Sequence, residues 1–235
     1  MTSFRKEILG QIERIDTGRI FTFRDLSFET EKTANVAVLL SEQSRKGILV
    51  RVEKGAYYRP KKSVSGLGKL PVYQDEQFRY LTEKLNGYIT GAYVYNKMGL
   101  TEQVATTISI ATPNPVRRFR FKNLDIECVK AYCMDYPDES LVPYLRLLDA
   151  IKDMKRIPGT TGQDIYNRVK SQYFNGYSLP ELEKIVSLAK SYPPRVRKVV
   201  ADILGDIRQT VLQTEMAKTI LPTTRFNLDY QVYET

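Results

Sequence analysis

The chain has 235 residues, 42% of them apolar and 27% charged, a net charge of +9 and no histidine. That length buries the core of one large domain or two modest ones, and the missing imidazole removes Ser-His-Asp, Cys-His and histidine general-base chemistry. No run of about eighteen apolar residues is present to span a bilayer, and MTSFRKEILGQI lacks the apolar stretch of a signal peptide, so a cytoplasmic protein with no membrane partner is expected.

The charge is unevenly placed. Residues 1–71 hold 14 Lys/Arg against 8 Asp/Glu, and residues 42–69 hold eight basic side chains against Glu42 and Glu53 alone. An excess of this kind suits a polyanion. Cys128 and Cys133, without histidine, are too few for a structural zinc site and read as reduced thiols.

In chain order, FRKEILGQIERI predicts an amphipathic helix with Phe4, Ile8, Ile12 and Ile15 on one face. RIFTF predicts a brief strand, RDLSF a short helical stretch, and EKTANVAVLLSEQSRKG a third helix with Ala34, Val38 and Leu39 inward and Gly47 as its stop. ILVRVE and AYYRP, joined at Lys54-Gly55, predict a hairpin that Pro60 ends. This order is that of a winged helix-turn-helix DNA-binding domain over residues 1–62. Its third helix would enter the major groove with Lys32, Thr33, Asn35 and Gln43, while Arg51, Lys54 and Arg59 of the hairpin, with Lys61 and Lys62 behind them, meet phosphates.

Residues 63–72 read as a Gly/Ser/Lys linker. From 73 to 235 an α+β domain is expected. DEQFRYLTEKL predicts one helix and ITGAYVYNKMGL a second helix or helical turn closed by Gly99; TTISIAT, RRFRF and DIECVKAY predict a small antiparallel sheet. A helical subdomain should occupy about 140–218, built from LVPYLRLLDAIKDM, TTGQDIYNRVKSQY, SLPELEKIVSLAKSY and PPRVRKVVADILGDIRQTVL. In the tail, Phe226, Leu228, Tyr230, Val232 and Tyr233 alternate well enough to dock as a strand or remain an apolar arm.

ITGAYVYNKMGLTEQVATTISIAT at 89–112, followed by RRFRF and by LLDAIKDMKRIPGTT at 147–161, resembles bacterial abortive-infection antitoxins of the AbiEi type. The resemblance is to the subgroup found mostly in Bacteroidetes and often left as a domain of unknown function, and it extends over most of residues 3–162. It implies a winged helix that represses the operon's own promoter, and a C-terminal part that opposes a nucleotidyltransferase-like toxin without a stable complex being required. No cofactor and no metal are expected. The motif residues it carries over are Tyr93, Asn96, Gly99, Leu100, Thr101 and Gln103, to which Lys97 is added as a polar neighbour.

Read from the residues, that motif has two roles open to it. Gly91 and Gly99 would permit a close approach and a helix stop while Asn96, Thr101 and Gln103 bridge buried backbone; or Tyr95, Asn96, Lys97, Thr101 and Gln103 would rim a cleft for a nucleotide, RNA or toxin. Two other classes of function stay in view. One is a protein-interaction adaptor without DNA binding. The other is a metal-dependent nuclease using Asp125, Glu127 and Lys130, although strand alternation places Lys130 on the opposite face from the two carboxylates. A non-enzymatic protein is the favoured expectation.

Overall fold

The computed structural model describes residues 3–61, 68–133 and 138–231. The chain is α+β and divides into two units, residues 1–84 and 85–235. The division falls beyond the expected linker at 63–72. The helix expected to open the second domain belongs to the first unit, because Glu76 accepts a hydrogen bond from the Ile20 amide at 2.6 Å and Arg79 donates to the Ile20 carbonyl at 2.8 Å.

The first unit runs α1 (Ser3–Arg14), β1 (Ile20–Thr22), α2 (Thr33–Arg45), β2 (Val50–Glu53), β3 (Ala56–Tyr58) and α3 (Gln74–Leu85, whose last residue lies past the division). Ile8 and Ile12 of α1 bury against Phe21, Val36, Leu39, Leu40, Leu49 and Tyr57, while Phe4 and Ile15 pack at the margin. The three strands form one antiparallel sheet in the order β1-β3-β2, with Ile20 opposite Tyr58 and Arg51 opposite Tyr57. Gly55 turns the β2–β3 hairpin at φ +80°, a conformation that favours glycine.

Two expectations change here. RDLSF makes a single 3-10 turn at Phe23–Asp25, because Thr22 and Asp25 satisfy each other's backbone amides in a capping box and Leu26 then returns to extended backbone. In α2 the inward residues are Val36, Leu39, Leu40 and Gln43, spaced for one helix face, so Ala34 faces out and Val38 is 56% exposed.

The second unit contains β4 (Tyr88–Thr90), α4 (Ala92–Lys97), β5 (Thr107–Thr112), β6 (Arg117–Phe121), β7 (Leu124–Lys130), α5 (Val142–Asp153), α6 (Gly162–Gln172), α7 (Leu179–Ala189), α8 (Pro194–Asp206) and α9 (Thr210–Ala217). Its sheet runs β4-β5-β7-β6 and is mixed, not antiparallel as expected. After Pro113-Asn114-Pro115 the chain reaches the edge as β6, turns at Lys122 with φ +54°, and returns as β7 parallel to β5. Ile89 and Thr90, expected to open a helix, instead form the strand β4 together with Tyr88. Likewise the last long helical segment is two helices, broken where Arg208 takes φ +60°; the helices approach so closely that a Cβ on Gly205 would lie 2.5 Å from Gln213 Nε2. Cys128 and Cys133 are free thiols, Cys128 buried.

At the centre of this unit is Asp149, 1% exposed on the otherwise apolar inner face of α5. It accepts hydrogen bonds from Tyr88 (2.9 Å), Thr90 (2.8 Å) and Tyr192 (3.2 Å), with Lys152 Nζ 3.5 Å away. These contacts tie β4, α5 and the segment before α8 to one another. A buried carboxylate is tolerated when its oxygens are satisfied in this way. In the tail, Tyr230 stacks on Tyr166 and donates to Asp202 at 2.8 Å. Phe226 and Leu228 are half-buried without forming a strand, and Val232 and Tyr233 lie outside the described residues.

Candidate nucleic-acid interface

In the first unit, α2 and the β2–β3 hairpin turn line a groove of about 1270 Å³. Thr33, Ala34, Ala37 and Ser41 form one wall; Arg51, Lys54 and Gly55 form another. Small side chains along this wall follow from the phase of α2, which sends its larger apolar residues to the core. Lys54 is exposed at the tip of the hairpin and Arg51 is exposed on its outer strand, where Nε donates to the Glu53 carbonyl at 3.2 Å. Thr33 and Asn35 are exposed in the first turn of α2, with the Thr33 hydroxyl donating to the Thr30 carbonyl at 2.5 Å.

Other candidates lie elsewhere or are already engaged. Gln43 is 5% exposed in the core-facing stripe of α2 and does not reach this surface. Arg59 donates to the Glu13 and Ile15 carbonyls at 2.6 and 2.8 Å, capping the end of α1 with a cation, as a helix C-terminus favours. Lys32 sits 2.7 Å from Glu29 and 5.2 Å from the centre of the Phe4 ring, and Lys61 stands 5.7 Å from the Tyr73 ring. Lys62 lies outside the described residues. The sequence reading missed Arg24, exposed on the groove at the Thr22-x-x-Asp25 turn. That capping-box spacing was the signal that could have found it.

The groove is not uniformly basic. Asp25, Glu53 and Glu83 share it with Phe23, Tyr57 and Tyr80. Glu53 is paired with Lys84 and accepts from the Tyr80 hydroxyl, and Glu83 is paired with Arg79 at 2.6 Å. Burial, followed by the Glu53 contact, pushes the Tyr80 phenol well above its usual range. Two of these three carboxylates are thus neutralised within the unit, and Arg24, Arg51 and Lys54 are exposed basic residues that line the opening.

The motif in the second unit is largely a helix stop. Gly99 follows α4 at φ +70°; its amide donates to the Asn96 carbonyl at 2.9 Å, and the Leu100 amide donates to the Tyr95 carbonyl at 2.9 Å. This is the Schellman pattern, with buried Leu100 and Tyr95 supplying its apolar contact. Asn96 donates to the Thr101 carbonyl at 3.1 Å, Thr101 donates to the Pro158 carbonyl at 2.6 Å, and Lys97 covers the Tyr93 ring at 4.6 Å. Gln103 is exposed, its amide bonded to the Thr101 hydroxyl at 3.2 Å. Asp125 and Glu127 share one face of β7, but they stand opposite Arg120 and Arg118 of β6, and Arg118 binds Glu127 at 2.7 Å. Among the described residues no three His, Cys, Asp or Glu side chains come together to hold a metal ion. No helix among them is long and apolar enough to cross a membrane.

A family model described as a family of unknown function, DUF6088, matches residues 7–135. No curated protein matches. Among solved structures, the crystal structure of RV2827C protein from Mycobacterium tuberculosis is similar at a TM-score of 0.49 and 12% identity, over 95% of this chain and 84% of that one.

Proposed function

We propose, from the premise that the chain belongs to the DUF6088 family of unknown function, that it is a DNA-binding protein whose first unit is a winged helix-turn-helix. In this reading α2 is the recognition helix and the β2–β3 hairpin is the wing. The observation that carries it is the shared groove in which the first turn of α2 faces Arg51 and Lys54 of the hairpin tip. Thr33 and Asn35 are exposed at the end of α2 that would reach base edges, and Arg51, Lys54 and Arg24 would neutralise phosphates.

The resemblance of residues 89–112 to AbiEi-type antitoxins extends this reading. The protein would repress its own operon from a promoter site and, through its second unit, oppose a nucleotidyltransferase-like toxin. The test is expression of a reporter from the chain's upstream DNA with and without the protein, and growth on co-expression with the product of the adjacent gene. Repression lost in an Arg51→Glu/Lys54→Glu variant supports the assignment; repression that survives it does not.

One observation favours a second reading, that of an adaptor which binds protein. The groove sets Asp25, Glu53 and Glu83 beside its cations and around Phe23, Tyr57 and Tyr80, a mixed and partly apolar lining that suits an amphipathic peptide.

A further inference from the structure

A second cavity, of about 570 Å³, lies wholly within the second unit. Lys130, Lys152, Lys155, Arg156 and Arg195 all line it, alongside Glu127 and Asp153. Both of those carboxylates are already occupied. Arg118 binds Glu127, while Asp153 accepts from the Tyr95 hydroxyl at 2.8 Å and stands 3.6 Å from Lys152. Lys152 lies between Asp149 and Asp153, at 3.5 and 3.6 Å, and the other four cations fall into two groups. Lys130 and Arg156 are exposed and have no carboxylate partner among the described residues; Lys130 stands 5.2 Å from the ring of Tyr132. Lys155 and Arg195 share one carboxylate, that of Asp229 in the C-terminal tail, at 2.8 and 3.2 Å.

Asp229 thereby places an anion where two cations meet. The tail is held there just after Asp229: Tyr230 stacks on Tyr166, and the Gln231 amide donates to Gln163 at 2.7 Å. Gly162 makes room for it, since a Cβ at that position would lie 2.7 Å from the Asp229 Cβ.

We infer that this cavity binds the phosphates of a nucleotide, with Lys130 and Arg156 as the open contacts and the Asp229 carboxylate as an internal competitor for Lys155 and Arg195. Five cations around one concavity exceed what the local carboxylates balance, and a concave cluster of one sign of charge attracts a multivalent anion. The volume exceeds that of a lone phosphate and falls within the range of small-molecule sites. Tyr132, half-buried and stacked on Tyr192 at 4.9 Å, provides an aromatic edge for a base or ribose. The inference is independent of DNA binding by the first unit.

The test is titration of the full chain with fluorescent ATP at low and moderate salt, with pyrophosphate and adenosine as competitors. Pyrophosphate is expected to displace the probe and adenosine is not. Lys130→Ala/Arg156→Ala should weaken binding about tenfold per lost charged contact, and Asp229→Asn should tighten it. The Arg51→Glu/Lys54→Glu variant should bind as the wild type does. Failure of the wild type to bind at low salt, displacement by adenosine but not pyrophosphate, or loss of binding only in the Arg51/Lys54 variant would each overturn the assignment. So would weaker binding by folded Asp229→Asn, which would make that carboxylate part of the site instead of its competitor.

Discussion

The Arg59 guanidinium is bound to the main-chain carbonyl of Ile15 at 2.8 Å, a contact that converts one apparently free wing cation into a helix cap. It separates two effects that charge counting merges. Arg59→Ala removes a charged donor from two carbonyls and is expected to destabilise the protein by about 1.5–3 kcal/mol, visible as a lower urea midpoint. Arg51→Ala/Lys54→Ala should lower the urea midpoint less than Arg59→Ala does, as exposed substitutions generally do.

Base and phosphate contacts should also part in DNA titrations. Asn35→Ala is expected to reduce discrimination between the preferred site and a scrambled one by about 1–3 kcal/mol, with the salt dependence unchanged. Lys54→Ala should weaken both sites alike and flatten the slope of log K against log salt by about 0.9. Competition binding at three salt concentrations distinguishes the two.

Gly91 and Gly99 both take positive φ, at +75° and +70°, yet their surroundings differ. A Cβ on Gly91 would lie 2.6 Å from Ser109 Oγ, whereas one on Gly99 meets nothing within 4 Å. Gly99→Ala should therefore cost only the backbone penalty, about 1–2 kcal/mol, and Gly91→Ala distinctly more. Thermal unfolding of the two variants gives the order directly.

Stability should respond to pH with two opposite signs. Burial raises the Asp149 pKa, opposed by Lys152 and by the Thr90 and Tyr88 hydroxyls. Its folded value exceeds the unfolded one, so its contribution is full below the ordinary Asp range and is lost as pH rises through the raised value. Asp164 and Glu181 behave conversely. The Thr161 and Ser178 caps lower their pKa values, so their contribution is present above the ordinary carboxylate range and is lost on acidification. As pH rises above the ordinary Asp range, Asp149→Asn should gain stability relative to wild type, while Thr161→Ala/Ser178→Ala should lose part of its deficit only as pH falls below the ordinary carboxylate range. Parallel urea curves at four pH values check both signs.

Much of the first unit was legible because its signals are local. Phe4, Ile8, Ile12 and Ile15 mark one face of α1, and Lys54-Gly55 marks the hairpin turn. The phase of α2 was read one residue pair off, since Val36 and Val38 both lie in an apolar run and only contact with α1 and the sheet selects Val36. Pairing direction was not legible, because β5 and β7 become parallel only through the excursion of β6 to the edge. The three residues of β4 are too few to alternate visibly before α4 begins. Asp149 left a trace, a single carboxylate inside LLDAI, but its partners come from Tyr88, Thr90 and Tyr192, distant in sequence. Within the candidate interface, the basic residues were visible; which of them were already engaged was not, since Arg59 meets carbonyls 44 and 46 positions away.

The most direct test of the DNA-binding claim is titration of the protein against its own upstream DNA and a scrambled duplex at two salt concentrations, beside the Arg51→Glu/Lys54→Glu variant. Preferential binding to the upstream DNA that weakens with salt and collapses in the variant is the predicted result. Absence of affinity for either duplex at low salt, or binding that the variant retains in full, would contradict it.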